Sequence, residues 1–396
     1  MSRVLIVLEL GNNYGHLAVC LPVAKALRAR GHTVAFVLRD LRLAAERLAP
    51  DGFTFLQAPV PQKTTRLSRP PANYPEILLG EGYGDIDDLL GLVGAWRNTF
   101  RLLQPDLVLA DHAPTALFAA RLAGIAHLAL GSGFTVPPAQ FPMPSIRPWE
   151  DILEGRLERS CRAVDDRLAH VARKLGCLYD AGLSGLFGTR TLLTTFAELD
   201  CYAPRVDGRY IGPIYDLPDV PSVDWPPSSG ERILAYLRTD IAGLSELLAA
   251  LGEIGANVVC VLPGAKPDLV KQFANSNLKI VANPVNLKVM LQQANLVVSY
   301  GGHGVLAESL LVGLPMLVVP QYVEQALNAQ CAERLGAAIV VGTRRNKGVF
   351  KTALERLLED GGFAMRARSF ADRYVEHTPE CAIRMIAEDV EAILNQ

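Results

Sequence analysis

Short apolar runs recur along the chain, each closed by a glycine or proline turn and followed by a stretch with helical spacing. The runs at 3–10, 33–38, 107–110, 127–130, 191–196 and 210–211 predict strands of a first half, and those at 233–237, 258–262, 278–281, 296–299, 316–319 and 338–341 predict strands of a second. Runs with so little polar alternation suit strands covered on both faces, as in a parallel sheet. Helices are predicted at 16–29 (closed by Gly31), 85–103, 114–123, 149–176 and 382–394. The second of these is amphipathic, with Leu89, Leu92, Val93, Trp96 and Phe100 on one face. Pro22 marks the start of the regular part of the first, since proline is best tolerated in a first helical turn. The proline-rich stretches at 59–83 and 137–148 lack periodicity and read as long loops, the former mobile.

The pattern is α/β throughout: two doubly wound parallel-sheet domains of Rossmann type. Five prolines within residues 213–230 mark an extended interdomain linker, so the expected division is 1–212, the linker 213–230, a second domain 231–375 and a C-terminal helical segment 376–396. At 396 residues the chain is too long for one ordinary core.

Composition narrows the class. Half the residues are hydrophobic, a fifth are charged and the net charge is −2, with no basic cluster that would suit nucleic acid or a membrane surface. Seven cysteines lack C-x-x-C spacing, which fits reduced thiols better than a disulfide frame or a zinc site. The first ten residues read as a strand rather than a signal peptide, and no window has the ~20 apolar residues of a spanning helix. A soluble cytoplasmic protein is expected. Its oligomeric state is not encoded in any pattern.

The densest chemical signal lies at 296–329, LVVSYGGHGVLAESLLVGLPMLVVPQYVEQALNA. Strand, glycine turn, helix and strand form a βαβ unit in which the helix, expected from Val305 to Val312, aims its N-terminus at the turn Gly301–Gly304. Orphan N–H groups and the positive end of the helix dipole favour a phosphate there. Glu308, and Glu324 with Gln325, would place polar groups suited to sugar hydroxyls beside it. Read from the residues alone, the stretch is either a phosphate-plus-polyol site or a tight turn.

This segment resembles the C-terminal donor motif of the UDP-glycosyltransferase superfamily, the inverting, metal-independent enzymes of GT-B fold. Gly302, Gly304, Glu308, Gly313, Pro315, Pro320, Glu324, Gln325, Asn328 and Ala329 fall in register with it. Tyr300 stands where the family usually has histidine, and Val305 where it has threonine or serine. The N-terminal stretch GHLAVCLPVAKALRARGHTV resembles the family's other signature, with His16 on the catalytic histidine and Asp111 on its partner aspartate.

The resemblance implies a glycosyltransferase that moves a sugar from a nucleotide-diphosphate donor, in the first instance a UDP-sugar, to a hydroxyl of a small apolar or aromatic acceptor, as in bacterial small-molecule glycosylation. His16 would be the base and Asp111 its orienter, with inversion at the anomeric carbon in a cleft where the two domains face one another. An imidazole titrates near neutrality and suits that task. Donor binding would fall to Arg238, Thr239, Val285, Tyr300, Gly301, Gly302, His303, Gly304, Val305, Glu308, Glu324 and Gln325. Glu308 would meet the ribose, and Glu324 with Gln325 the sugar. Arg238 would compensate for the missing histidine by clamping the diphosphate. The base pocket near 283–285 offers no aromatic residue, leaving uridine and thymidine both open.

The acceptor is expected near Ser132, Phe134, Phe141 and Trp149. His112 is assigned a structural role, its side chain pointing away from that of Asp111. Asp85-Ile86-Asp87 spells D-x-D but precedes an amphipathic helix and reads as an N-cap. No metal and no cofactor are expected, and no nucleic-acid partner. Two rival readings are a non-catalytic GT-B relative serving as an auxiliary subunit, motivated by Tyr300 and Val305, and a nucleotide-sugar 2-epimerase.

Overall fold

The apolar runs form two all-parallel sheets in the computed structural model, which describes residues 1–11, 14–62, 67–187, 191–215, 221–227, 230–343, 346 and 348–396. The chain divides into two compact units, Met1–Asp216 with Thr378–Gln396, and Leu217–His377. Part of the proline-rich linker, 216–220 and 228–229, lies outside the described residues.

Unit 1 contains β1 (Arg3–Leu8), β2 (Thr33–Leu38), β3 (Thr54–Gln57), β4 (Leu107–Asp111), β5 (Ala126–Gly131), β6 (Thr191–Leu193) and β7 (Arg209–Tyr210), ordered β3-β2-β1-β4-β5-β6-β7. Its helices are α1 (Tyr14–Ala29), α2 (Leu41–Arg47), α3 (Tyr74–Leu78), α4 (Ile86–Leu103), α5 (Pro114–Leu122) and α6 (Glu154–Lys174). Unit 2 contains β8 (Arg232–Tyr236), β9 (Asn257–Val261), β10 (Leu278–Val281), β11 (Leu296–Ser299), β12 (Met316–Val318) and β13 (Ala338–Val340), ordered β10-β9-β8-β11-β12-β13. Its helices are α7 (Leu244–Glu253), α8 (Pro267–Phe273), α9 (Leu287–Gln292), α10 (His303–Leu311), α11 (Val323–Arg334), α12 (Val349–Glu359) and α13 (Gly361–Arg373). The last helix, α14 (Pro379–Leu394), belongs to unit 1.

Strand alternation sorts side chains onto two cores. Leu5 and Val7 of β1 join Trp96, Phe100 and Phe118, whereas Val4, Ile6 and Leu8 join Leu17, Leu21 and Phe36 on the other face. That second core also takes Ala382, Ile386, Ala387 and Val390 of α14. Arg30 holds the same helix by an ion pair to Glu391 at 2.7 Å. Among the described residues no helix is long and apolar enough to cross a membrane.

The structure corrects several expectations. Pro22 sits in the middle of α1, which begins at Tyr14. A mid-helix proline costs ~3 kcal/mol. Leu17, Cys20, Leu21, Val23, Ala24 and Leu27 are all buried, at roughly 1.5–3 kcal/mol for a fully buried large aliphatic side chain, so packing wins. The described part of the 59–83 stretch is not a mobile loop: Tyr74, Leu78 and Tyr83 are fully buried. Asn73 caps α3 by accepting from the Glu76 N–H at 3.2 Å, and Arg156 pairs with Glu76 at 2.7 Å. So short a helix shows no periodicity. Residues 63–66 lie outside the described residues. The 149–176 helix begins only at Glu154, and α10 begins at His303, earlier than expected. Asp85 does cap α4, accepting from the N–H groups of Asp87 and Asp88 at 2.8 and 3.1 Å.

A buried ion pair fixes the strand ends of unit 1. Arg205 meets both oxygens of Asp200, at 2.6 and 3.0 Å, with side-chain exposures of 2% and 0%. Tyr210 donates its hydroxyl to the same carboxylate at 2.7 Å, and Arg205 reaches the carbonyl of Val136 at 2.9 Å. Gly133 must lack a side chain, because a Cβ there would lie 2.0 Å from Asp200 Oδ1. Asp200→Ala strands the guanidinium in the interior and is expected to lower the unfolding free energy of unit 1 by about 3–5 kcal/mol in urea titrations.

Candidate active site

The carboxyl ends of β1 and β4 are register neighbours, Leu8 opposite Asp111, and the chain leaves β1 towards α1 and β4 towards α5. In such sheets a crevice opens where the connections diverge. His16 stands in the first turn of α1 and meets Asp111 through Nδ1, 2.9 Å from Oδ2. The carboxylate side chain is 3% exposed and the imidazole 18%. With Nδ1 held by the acid, Nε2 is the atom positioned to take a proton. Cys20, one turn further along α1, donates its thiol to the same oxygen at 3.7 Å, and burial pushes that thiol well above its ordinary range.

Two neighbours of this pair escape the sequence reading, and a third is expected in a different orientation. Gly11 packs flat on the imidazole: a Cβ there would lie 2.2 Å from His16 Cδ2 and 2.3 Å from Nε2. Glu9, a carboxylate inside the run RVLIVLEL, is buried beyond the end of β1. It accepts from the Thr115 and Ala116 N–H groups at 2.9 and 3.3 Å, at the N-terminus of α5. Burial pushes its carboxyl up to about 7, against the pull of those hydrogen bonds and the charge of Arg39. The odd acid in an apolar strand is its sequence signal.

His112 is the third, and its expected orientation is corrected. The strand ends at Asp111, and His112 takes a left-handed backbone with φ +46°. The alternation of a strand therefore does not govern it. Its ring stacks 6.0 Å from that of His16, with Tyr74 at 5.9 Å and the edge of Phe134 at 6.3 Å. Burial, reinforced by His16, pushes its imidazole down to about 3.

Of the expected acceptor residues, Phe134 thus belongs to the group around His16. Ser132 shapes its loop, its carbonyl accepting from the Thr135 hydroxyl at 3.1 Å. Phe141 and Trp149 are half-exposed, each with an arginine over its ring, Arg162 at 5.2 Å and Arg147 at 5.9 Å.

Unit 2 repeats the arrangement at the ends of β8 and β11. Gly301 follows β11 with φ +87°, and a Cβ there would meet the Gln325 carbonyl at 2.8 Å. Asn328 donates to the Gly301 carbonyl at 3.1 Å, so α11 clamps the turn. Gly302 caps α10, whose first residues are His303, Gly304 and Val305. Val305 turns its side chain into the core and offers the turn only its backbone. Glu308, half-buried, lies one turn on. Gln325 Oε1 accepts from the N–H groups of Gln321 and Tyr322 at 2.9 and 3.2 Å, so its amide nitrogen is the end suited to a ligand. Glu324 precedes it, half-buried in the first turn of α11.

Arg238 follows β8, and its fork is turned onto Asp240, at 3.0 and 3.1 Å. Its guanidinium lies 5.9 Å from the rings of both Tyr300 and Tyr322, and Tyr322 donates to Asp240 at 2.9 Å. A diphosphate at Arg238 would have to compete with that carboxylate. Thr239 is exposed beside it, and Val285 is buried at 6% exposure. Among the described residues no group of three His, Cys, Asp or Glu side chains could hold a metal ion.

Two parallel α/β sheets, each with its polar residues at the carboxyl strand ends, define a GT-B glycosyltransferase fold. Residues 245–391 match the family described as "Erythromycin biosynthesis protein CIII-like, C-terminal domain". The chain is 27% identical over 321 residues to a PGL/p-HBAD biosynthesis glycosyltransferase of Mycobacterium tuberculosis, covering 76% of this chain and 74% of that protein. The solved glycosyltransferase of kitacinnamycin superposes with a TM-score of 0.71 at 20% identity over 99% of both chains. VinC, solved in complex with dTDP, gives the same TM-score and identity over the full length of both. Together these similarities support a glycosyltransferase of natural-product type, related to the UDP-glycosyltransferase superfamily.

Gly11→Ala pushes the imidazole off its seat while sparing the cores, and should lower kcat by on the order of 10²-fold with little change in Tm. Glu9 generates a pH dependence. Its folded pKa lies above the unfolded one, so it subtracts stability as pH rises from 4.5 towards 7. Glu9→Gln should match the wild type near the bottom of that window and exceed it by roughly 2–3 kcal/mol above it, read from urea titrations across pH.

Proposed function

We propose that the protein is an inverting glycosyltransferase in which His16 takes the proton of an acceptor hydroxyl as that oxygen displaces a nucleoside diphosphate from the anomeric carbon of a donor sugar. The observation that carries this reading is the contact of His16 Nδ1 with the buried Asp111 carboxylate, 2.9 Å long. It fixes the tautomer that leaves Nε2 as the base, and the anionic partner stabilises the imidazolium formed during attack. The acceptor oxygen gains the bond to carbon, the bond from carbon to the β-phosphate oxygen breaks with its electron pair on that oxygen, and the configuration inverts. No covalent enzyme intermediate is required.

Unit 2 supplies the anion site. The first-turn N–H groups of α10, which opens directly after Gly301 and Gly302, suit the charge that develops on the leaving diphosphate. With Val305 offering no hydroxyl and Tyr300 in place of histidine, more of that work falls to the backbone. Glu308 suits the ribose, and Glu324 with the Gln325 amide the transferred sugar. The donor is a pyrimidine-nucleoside diphosphate sugar. The dTDP bound to VinC makes dTDP-sugars a candidate equal to UDP-sugars. The acceptor is a small apolar or aromatic molecule bearing a hydroxyl.

Isothermal titration with dTDP and with UDP should give a Kd within roughly the 1 μM–1 mM range of substrate affinities for at least one of them. Nucleotide release from dTDP-glucose or UDP-glucose, with a panel of phenols and alcohols, should fall by about 10²–10⁴-fold in His16→Ala while nucleotide affinity holds. Binding of neither nucleotide defeats the reading. Nucleotide binding without turnover for any acceptor would favour the auxiliary-subunit role instead.

A further inference from the structure

Two polar atoms in unit 1 are buried with no hydrogen-bond partner among the described residues and share one aromatic wall beside His16: His112 Nε2 and Tyr74 Oη. Their ring centroids are 5.9 Å apart, and His112 is in turn 6.0 Å from His16. Phe134 stands edge-on to His112 at 6.3 Å, and Phe187 edge-on to Tyr74 at 5.9 Å. Tyr74 has no solvent exposure. A desolvated, unpaired polar group costs about 1–3 kcal/mol. His112 carries a second cost, because its left-handed backbone is disfavoured for a residue with a Cβ.

Packing alone does not call for either polar atom. A phenylalanine would fill the place of the Tyr74 ring without burying a hydroxyl. The costs are concentrated one residue after Asp111, where a strained backbone aims a ring at the base. An imidazole pushed down to about 3 is neutral at physiological pH, so it offers one donor and one acceptor and is too weak a base to replace His16. It is a hydrogen-bonding group placed next to the reacting centre.

We propose that His112 and Tyr74 form a specificity pair that recognises a second polar group on the acceptor, carried by the same ring system as the reacting hydroxyl. Such a group, a hydroxyl or a carbonyl, accepts from Tyr74 Oη and pairs with His112 Nε2 while the ring packs against Phe134. The acceptor class narrows accordingly, from any apolar alcohol to a ring with two hydrogen-bonding substituents. The assignment rests on reading unit 1 as the half that activates the acceptor.

The test compares 4-ethylresorcinol with 4-ethylphenol, which differ by one hydroxyl, on the full-length enzyme with ¹⁵N-labelled histidine. His112→Phe identifies the His112 resonances by their loss. The resorcinol should shift the His112 Nε2 resonance and bind roughly tenfold more tightly than the phenol. Tyr74→Phe and His112→Phe should bring the two affinities within about twofold of each other. Tyr74→Phe should also keep or raise Tm, since it removes an unpaired hydroxyl, so a loss of discrimination in this variant is not a loss of fold. Equal affinities in the wild type, no shift at His112, binding of neither probe, or discrimination that survives both substitutions overturns the proposal. A failure of the transferase reading appears separately, in the His16→Ala turnover measurement.

Discussion

A carboxylate removed from water must be paired, and Asp111 imposes that requirement on everything around it. Its partners, His16 and Cys20, come from successive turns of one helix, so α1 has to start where β1 ends and run past the end of β4. The register of β1 on β4 meets this condition by setting Leu8 opposite Asp111. Gly11 completes the geometry by letting the backbone lie flat on the imidazole. Removing His16 alone would leave the carboxyl end of β4 with a poorly matched buried charge, while the apolar face of α1 would still pack on the sheet.

The second sheet solves a different electrostatic problem. Its glycine turn presents backbone donors, and the nearby cation, Arg238, is already matched by Asp240 and flanked by Tyr300 and Tyr322. The family's histidine position is thus filled by an aromatic ring that packs with a neutralised guanidinium. In the proposed donor site the attraction for an anion would shift from a side chain towards peptide N–H groups, which α11 helps to hold in place by fixing Gly301 in its left-handed conformation.

Most strands are legible from the chain because both faces of each sheet are covered, which makes them continuous apolar runs. Elements whose signal is diluted are less so. β3 has the exposed pattern of an edge strand, and α3 is too short to show a period although Tyr74 and Leu78 are fully buried. Pro22 misleads because a local rule yields to the burial of its neighbours. Within the candidate site, His16, Asp111 and the glycine turn stand out by spacing. Gly11, Glu9 and His112 do not: a glycine's close approach, a carboxylate's burial and a backbone that leaves the strand after Asp111 are facts of three dimensions. Only Glu9 betrays itself, as a charge in an apolar run.

The chain's final helix lies in the same unit as its first strand, so unit 2 is an insertion between two parts of unit 1. During synthesis unit 2 is complete once residue 377 has emerged, while unit 1 still lacks Ile386 and Val390 from its core. Its apolar face against α1 stays open until α14 has emerged from the ribosome. A premature stop just before α14 would then strike the fold of unit 1, which holds the N-terminal residues, and spare unit 2, which directly precedes the break.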